Sequence, residues 1–148
     1  MTANVNREGA EEFIGRRLPD QVFRLLTSAA RGPWIFESDR ERVLERWLVL
    51  VDDPSSHPEG IYDLEVIFGQ IEWGLFEDEE SEEAALVPFG LLFGGDYVCL
   101  DYRGDPASPS VVVWLHEESE ENRPATVPVA PTVGGFLRRL EPLEEGSA

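Results

Sequence analysis

Apolar residues recur at helical spacing in the first part of the chain and at strand spacing in the second. In EEFIGRRLPDQVFRLLTSAARGP (11–33), Leu18, Val22, Leu25, Leu26 and Ala29 follow a three-to-four repeat with Phe23 at its edge. This predicts one or two helices, broken near Pro19 and closed by Gly32 and Pro33. In ESDRERVLERWLVLVDDP (37–54), Ser38 or Asp39 suits the cap of a short helix, yet Val43, Trp47, Val49 and Val51 stand at even separations. The alternation favours a strand ending near Val51. DDPSSHPEG (52–60) is a loop by its prolines, serines and glycine. In IYDLEVIFGQIEWGLF (61–76), Ile61, Leu64, Ile67 or Phe68, Ile71 and Leu75 fall at helical spacing. Leu64, Val66 and Phe68 also alternate as a strand would, and the length decides for a helix.

EDEESEE (77–83) carries six acids in seven positions and reads as a solvated loop or frayed helix end. After it come LVPFGLLFGG (86–95) and two strongly β-forming runs, YVCLDYR (97–103) and VVVWLHE (111–117), joined by GDPASPS into a hairpin with a mobile tip. APTVGGFLRRLEPL (130–143) places Val133, Phe136, Leu137 and Leu140 on one helix face, with Thr132 as N-cap and Pro142 as stop. Gly134 and Gly135 cost that helix about 1 kcal/mol each relative to alanine, so it must depend on packing. No repeat or linker divides the chain. The pattern is that of one α+β domain over residues 8–142, with 1–7 and 143–148 as flexible termini.

A chain of 148 residues buries enough surface to need no staple, and its single cysteine excludes an internal disulfide. The first twenty residues hold no apolar run of signal-peptide length, and no apolar stretch approaches the roughly 20 residues that span a bilayer. A cytoplasmic protein without membrane contact is expected. Charge sharpens the picture. The chain has 30 acids against 12 basic residues, all arginine, for a net charge of −18. Residues 1–74 hold 14 acids and 8 arginines (net −6), whereas residues 75–148 hold 16 and 4 (net −12). Such a field repels nucleic acid and anionic lipid, and favours fast encounter with a basic protein.

Candidate chemistry is sparse. As a nucleophile, Cys99 would need a nearby base and an electropositive setting, whereas Asp96 and Asp101 flank it and Tyr97, Val98 and Leu100 make its strand look buried on both faces. His116 ends the neighbouring strand, where a histidine ordinarily packs its ring and bonds a carboxylate. The second histidine, His57, lies in a loop, so only carboxylates would remain to complete a metal site; EDEESEE lacks the central glycine of a calcium loop. The glycines of FGLLFGGD fit neither nucleotide-binding spacing, and no lysine is present. No GxSxG elbow occurs, and with 30 acids no carboxylate pair is singled out. Trp34, Trp47, Trp73 and Trp114 have no basic groove around them to hold phosphates, so they read as core or partner-interface residues. No catalytic residue, cofactor or metal is expected.

Seven blocks in order resemble the SMI1/KNR4 family, also called the SUKH superfamily. They are RLPDQVFRLL (17–26), VLERWLVLVDD (43–53), IYDLEVIFGQIEWGL (61–75), LVPFG (86–90), GGDYVCLDYR (94–103), VVVWLHEES (111–119) and VAPTVGGFLRRL (129–140). The chain departs from the family at AARGP (29–33), where many members have an Asn-Gly-Gly turn, and at Gly134 and Gly135, where helix formers are usual. The resemblance implies a mostly antiparallel sheet with N-terminal, central and C-terminal helices packed on it, and no catalytic residues. It makes Gly94, Gly95, Asp96, Cys99, Leu100 and Asp101 fold determinants, with the glycines permitting positive φ or a bulge at the strand entry.

Many bacterial members are similar to immunity proteins that bind and block a cognate toxin, often a nuclease. Fungal relatives are regulatory scaffolds. Together with the acidic second half, the resemblance implies a protein that neutralises a basic toxin domain, with contact expected around Asp78, Glu79, Glu80, Glu117, Glu118, Glu120 and Glu121. A regulatory adaptor without a toxin partner is the alternative, and a hydrolase using Asp101, Cys99 or His116 is a third reading.

Overall fold

The computed structural model describes residues 7–27, 31–36, 42–48, 64–77, 80 and 82–142. Two helices, α1 (Arg7–Ile14) and α2 (Asp20–Leu26), flank the expected break, and α1 already includes Arg7. The break begins before the proline. Gly15 adopts φ +73°, and its N–H and that of Arg16 both donate to the Glu11 carbonyl (2.9 and 3.2 Å), a left-handed glycine stop. Pro19 stands just before α2, and its carbonyl accepts the Phe23 N–H at 2.9 Å. Leu18, Val22 and Leu26 are buried as the helical stripe predicts, whereas Ala29 lies outside the described residues.

The central segment is helical, as its length argues: α3 (Leu64–Ile71) buries Leu64, Ile67 and Phe68 and runs into a 3-10 turn at Glu72–Gly74. Ile61 and the loop 52–60 fall outside the described residues. Among the described residues, seven strands form one sheet in the order β6-β5-β4-β3-β2-β1-β7, antiparallel throughout. They are β1 (Arg31–Phe36), β2 (Val43–Trp47), β3 (Leu86–Leu92), β4 (Tyr97–Asp101), β5 (Ser110–Trp114), β6 (Thr126–Ala130) and β7 (Leu140–Pro142). The fold is α+β, with the expected hairpin formed by β4 and β5.

Four details differ from the sequence pattern. Gly32 and Pro33 do not end a helical segment but lie inside β1, whose pairing with β2 shifts register between Arg31 and Trp34. That irregularity accommodates the proline within an interior strand. In β2 the even spacing is broken by a second register shift, between Leu44 and Arg46, so Leu44, Arg46 and Trp47 are all buried. Val49 and Val51 lie outside the described residues, as do Ser38 and Asp39. The TVPVA run forms edge strand β6. Finally, the C-terminal helix α4 (Val133–Arg138) stops short of Leu140, which pairs with Phe36 as part of β7. Thr132 caps α4 as expected, its Oγ1 accepting the Gly135 N–H at 3.0 Å.

Opposed residues of paired strands share a face. Tyr97, Cys99, Val112, Trp114 and Thr126 are therefore on one face of the sheet, and Val98, Leu100, Val111, Val113 and Val127 on the other. Both faces are covered. The Trp114 indole donates to the Gly74 carbonyl at 3.0 Å on the first. On the second, Trp47 lies beside Gly90 and Val98 and meets Phe136 of α4. The Phe136 ring stands edge-on to Phe36, Trp47 and Phe89, with centroids 5.4, 6.4 and 6.0 Å away, while Trp47 and Phe89 stack at 5.7 Å. Burying one phenylalanine contributes about 1.5–3 kcal/mol and each aromatic pair about 0.5–1.5 kcal/mol, which exceeds the roughly 2 kcal/mol lost to the two glycines. Packing, not propensity, holds α4.

Candidate protein-binding surface

The hairpin that suggested chemistry is built as core. Cys99 is fully buried, and its thiol lies 3.9 Å from the Tyr97 carbonyl. Burial, and next the Asp101 carboxylate, push the thiol well above its ordinary range, the opposite of an activated nucleophile. Val112 opposes Cys99, whereas His116 lies beyond the end of the ladder at Tyr97–Trp114, in a turn, with its ring on Asp96. Asp101 is engaged elsewhere. Its two oxygens receive the Arg103 guanidinium at 3.0 Å each, an arrangement that raises the Arg103 pKa, and Arg103 also donates to Thr126 Oγ1 at 3.0 Å.

Asp96 and the two glycines before it shape the entry to β4. Gly94 and Gly95 have φ of +98° and +100°, the positive values the motif implies. Asp96 Oδ1 accepts the His116 backbone N–H at 2.9 Å and lies 2.5 Å from its Nδ1, and Oδ2 is 3.9 Å from Arg42 Nη1. One carboxylate thus joins the start of β2, the β3–β4 turn and the end of β5. His116 bonds a carboxylate as expected, but its ring is not packed away, the side chain being 40% exposed. Among the described residues no group of three or more His, Cys, Asp and Glu side chains is placed to hold a metal ion. Among them too, no helix is long and apolar enough to cross a membrane.

The acidic residues lie where the chain leaves this core. Glu117, Glu118, Glu120 and Glu121 are exposed on the 115–125 loop between β5 and β6, and Glu80 is exposed on its own segment. Asp78 and Glu79 lie outside the described residues. The loop is firmly built. Leu115 N–H donates to the Ala125 carbonyl (2.9 Å), Ser119 N–H to the Leu115 carbonyl (3.0 Å), and the Ser119 hydroxyl accepts the Ala125 N–H (3.0 Å). Glu120 and Arg123 exchange backbone bonds at 3.1 and 2.9 Å.

Asn122 then ties the loop to the turn after α3. It sits at φ 58°, a conformation asparagine tolerates better than most residues. Its N–H donates to the Trp73 carbonyl at 2.8 Å and its Nδ2 to the Phe76 carbonyl at 3.2 Å. The structure thereby ties the 115–125 loop, through Asn122, to the turn that carries Trp73 and Phe76. Trp73 remains 40% exposed, its ring edge-on to Trp114 at 5.5 Å, whereas Trp114 and Trp47 are core and Trp34 is partly buried. Sequence reasoning named the glutamates but neither separated Trp73 from the other tryptophans nor found Asn122. Its one available signal was an asparagine within an acidic turn.

Comparison with known proteins adds one finding. The model of the SMI1 / KNR4 family (SUKH-1) matches residues 8–139, nearly the whole chain. No curated protein and no solved structure matches it.

Proposed function

The chain belongs to the SMI1/KNR4 family (SUKH-1), and on that premise we propose that it is a non-catalytic protein-binding domain of the immunity type. It acts in the cytoplasm by covering the basic, phosphate-binding surface of a cognate toxin, a nuclease being the best fit. The observation that carries this reading is the 115–125 loop, which exposes Glu117, Glu118, Glu120 and Glu121 and is tied by Asn122 to the turn carrying the partly exposed Trp73. Four exposed carboxylates on a chain of net charge −18 steer a cationic partner into encounter. A loop already ordered by its own hydrogen bonds loses little further entropy on binding. A half-exposed tryptophan is the residue type that most often anchors an interface. The proposal also counts Asp78, Glu79 and Glu80, by their sequence, among the partner-binding carboxylates.

The test is co-expression with a toxin domain encoded next to this chain, followed by sizing chromatography at low salt. Protection of the cells and a complex that dissociates as salt rises are expected. Unprotected cells and no complex would sink the immunity reading.

A further inference from the structure

We infer that the cleft between α1, the 15–20 link and the 102–109 loop is a docking groove for an extended cationic peptide segment, with basic residues at alternate positions. The groove offers about 880 Å³, within the range of specific binding sites. Its floor is apolar and fixed: Leu18, Tyr102 and Pro109 are buried, with Pro19 and Pro106 beside them. Tyr102 O–H donates to the Arg17 carbonyl at 2.6 Å and Tyr102 N–H to the Ala85 carbonyl at 2.9 Å. The tip of the loop is closed by Ser108 N–H on the Asp105 carbonyl and Ala107 N–H on Asp105 Oδ1, both 3.0 Å.

The rim decides the sign of the occupant. Five carboxylates (Glu8, Glu11, Glu12, Asp20 and Glu83) face two guanidiniums, those of Arg16 and Arg17. Arg16 is turned into the protein. Its Nε donates to the Ala84 carbonyl at 2.7 Å, its Nη1 is 3.7 Å from Glu83, and its guanidinium lies 5.1 Å from the centre of the Tyr102 ring. The groove therefore presents negative charge above an apolar floor. Glu8 and Glu12 are exposed and one turn apart on α1, a rise of about 6 Å. Alternate side chains of an extended peptide repeat at about 6.6–6.8 Å, so two cations spaced i and i+2 meet both carboxylates while the intervening side chain points away. The groove shares no residue with the acidic 115–125 loop, and the inference does not rest on a toxin partner.

The experiment titrates the full chain with fluorescein-labelled Gly-Arg peptide of four repeats, following anisotropy, and maps the site by backbone amide shifts. Shifts confined to residues 8–20, 83–85 and 102–109 are expected. Glu8→Gln with Glu12→Gln should weaken binding about fivefold to tenfold, the loss expected from two exposed ion pairs. Ala107→Trp, which fills the groove without changing charge, should weaken it at least as much, and a Gly-Glu peptide of the same length should not bind. Both variants alter exposed positions, and an unchanged melting temperature verifies their fold. Shifts clustering at residues 117–121, undiminished binding to both variants, or equal binding of the Gly-Glu peptide would each overturn the assignment.

Discussion

Replacing Gly74 with alanine tests how tightly the turn after α3 is seated on the sheet. A Cβ at this position would stand 2.8 Å from Trp114 Cζ2, 3.1 Å from Nε1 and 3.2 Å from Cε2, all inside ordinary contact. Trp114 is 1% exposed and has no room to withdraw, and the movement that relieved the clash would stretch its 3.0 Å hydrogen bond to the Gly74 carbonyl. Overpacking of this kind costs about 1–3 kcal/mol and the weakened bond about 0.5–1.5 kcal/mol, together about 2–4 kcal/mol. For a chain near 150 residues that corresponds to a melting temperature lower by about 4–16 °C. Thermal unfolding followed by circular dichroism measures it. Gly69→Ala is the control, since no atom lies within 4 Å of a Cβ there, and a helix-interior alanine should stabilise by up to about 1 kcal/mol. Trp114→Phe removes the contacted atoms, so Gly74→Ala should cost less than about 1 kcal/mol in that background, making the double mutant less destabilised than the sum of the two single changes. A Gly74→Ala protein melting with the wild type, or one equally destabilised in the Trp114→Phe background, would refute the reasoning.

Three further outcomes are expected. Cys99 should resist alkylation in the native protein and react only as fast as the chain unfolds; its folded pKa is raised, so the native state keeps a proton that the unfolded thiol loses above its ordinary value of 9.0. Stability from this group is thus full below pH 9 and falls above it, and between pH 9 and 10 the wild type should lose about 1 kcal/mol more than Cys99→Ala in urea titrations. Tyr102→Phe should cost about 1–3 kcal/mol by leaving the Arg17 carbonyl without its donor, read as a lower urea midpoint with unchanged slope. With a cationic partner on a biosensor, replacing Glu117, Glu118, Glu120 and Glu121 by glutamine should lower the association rate about tenfold and flatten its salt dependence. Trp73→Ala should instead speed dissociation by about 30-fold, the effect of losing an interface anchor.

The parts of the fold that the chain announces are those where burial and local pattern agree. Val111, Val112 and Val113 are β-branched, buried on both faces and bounded by turn residues, so the hairpin is evident. Leu18, Val22 and Leu26 repeat at the period of the helix they form. Where strands escaped notice, proline disguised them. Pro33 lies in β1 at an irregular pairing, Pro128 in edge strand β6, and Pro142 in the three-residue β7. Each is tolerated by a feature that periodicity does not reveal: a register shift at Pro33, an edge position at Pro128, and at Pro142 a pairing with Trp34 from far along the chain. The same holds for the acidic 115–125 loop. Four glutamates in five residues announce exposure, but the bonds from Asn122 to Trp73 and Phe76 span 46 residues or more, and only folding joins them.

The prolines also bear on how such a fold meets a partner. Among the described residues the seven-stranded sheet ends in β6 and β7, and a strand at the edge of a sheet is a template for pairing with another chain. Pro128 removes a donor from one edge, and the other is only three residues long and itself contains Pro142. Strand addition is therefore disfavoured at β6 and at β7. The sheet faces are no more available, since Trp114 is sealed by Gly74 and Trp47 by Phe136. Among the described residues, the 115–125 loop with Trp73 and the groove beneath α1 are outer surfaces that the sheet holds in place. Changes to the glutamates of that loop replace exposed side chains without touching the core, so in the role proposed above recognition could vary there while GGDYVCLD continues to specify the fold.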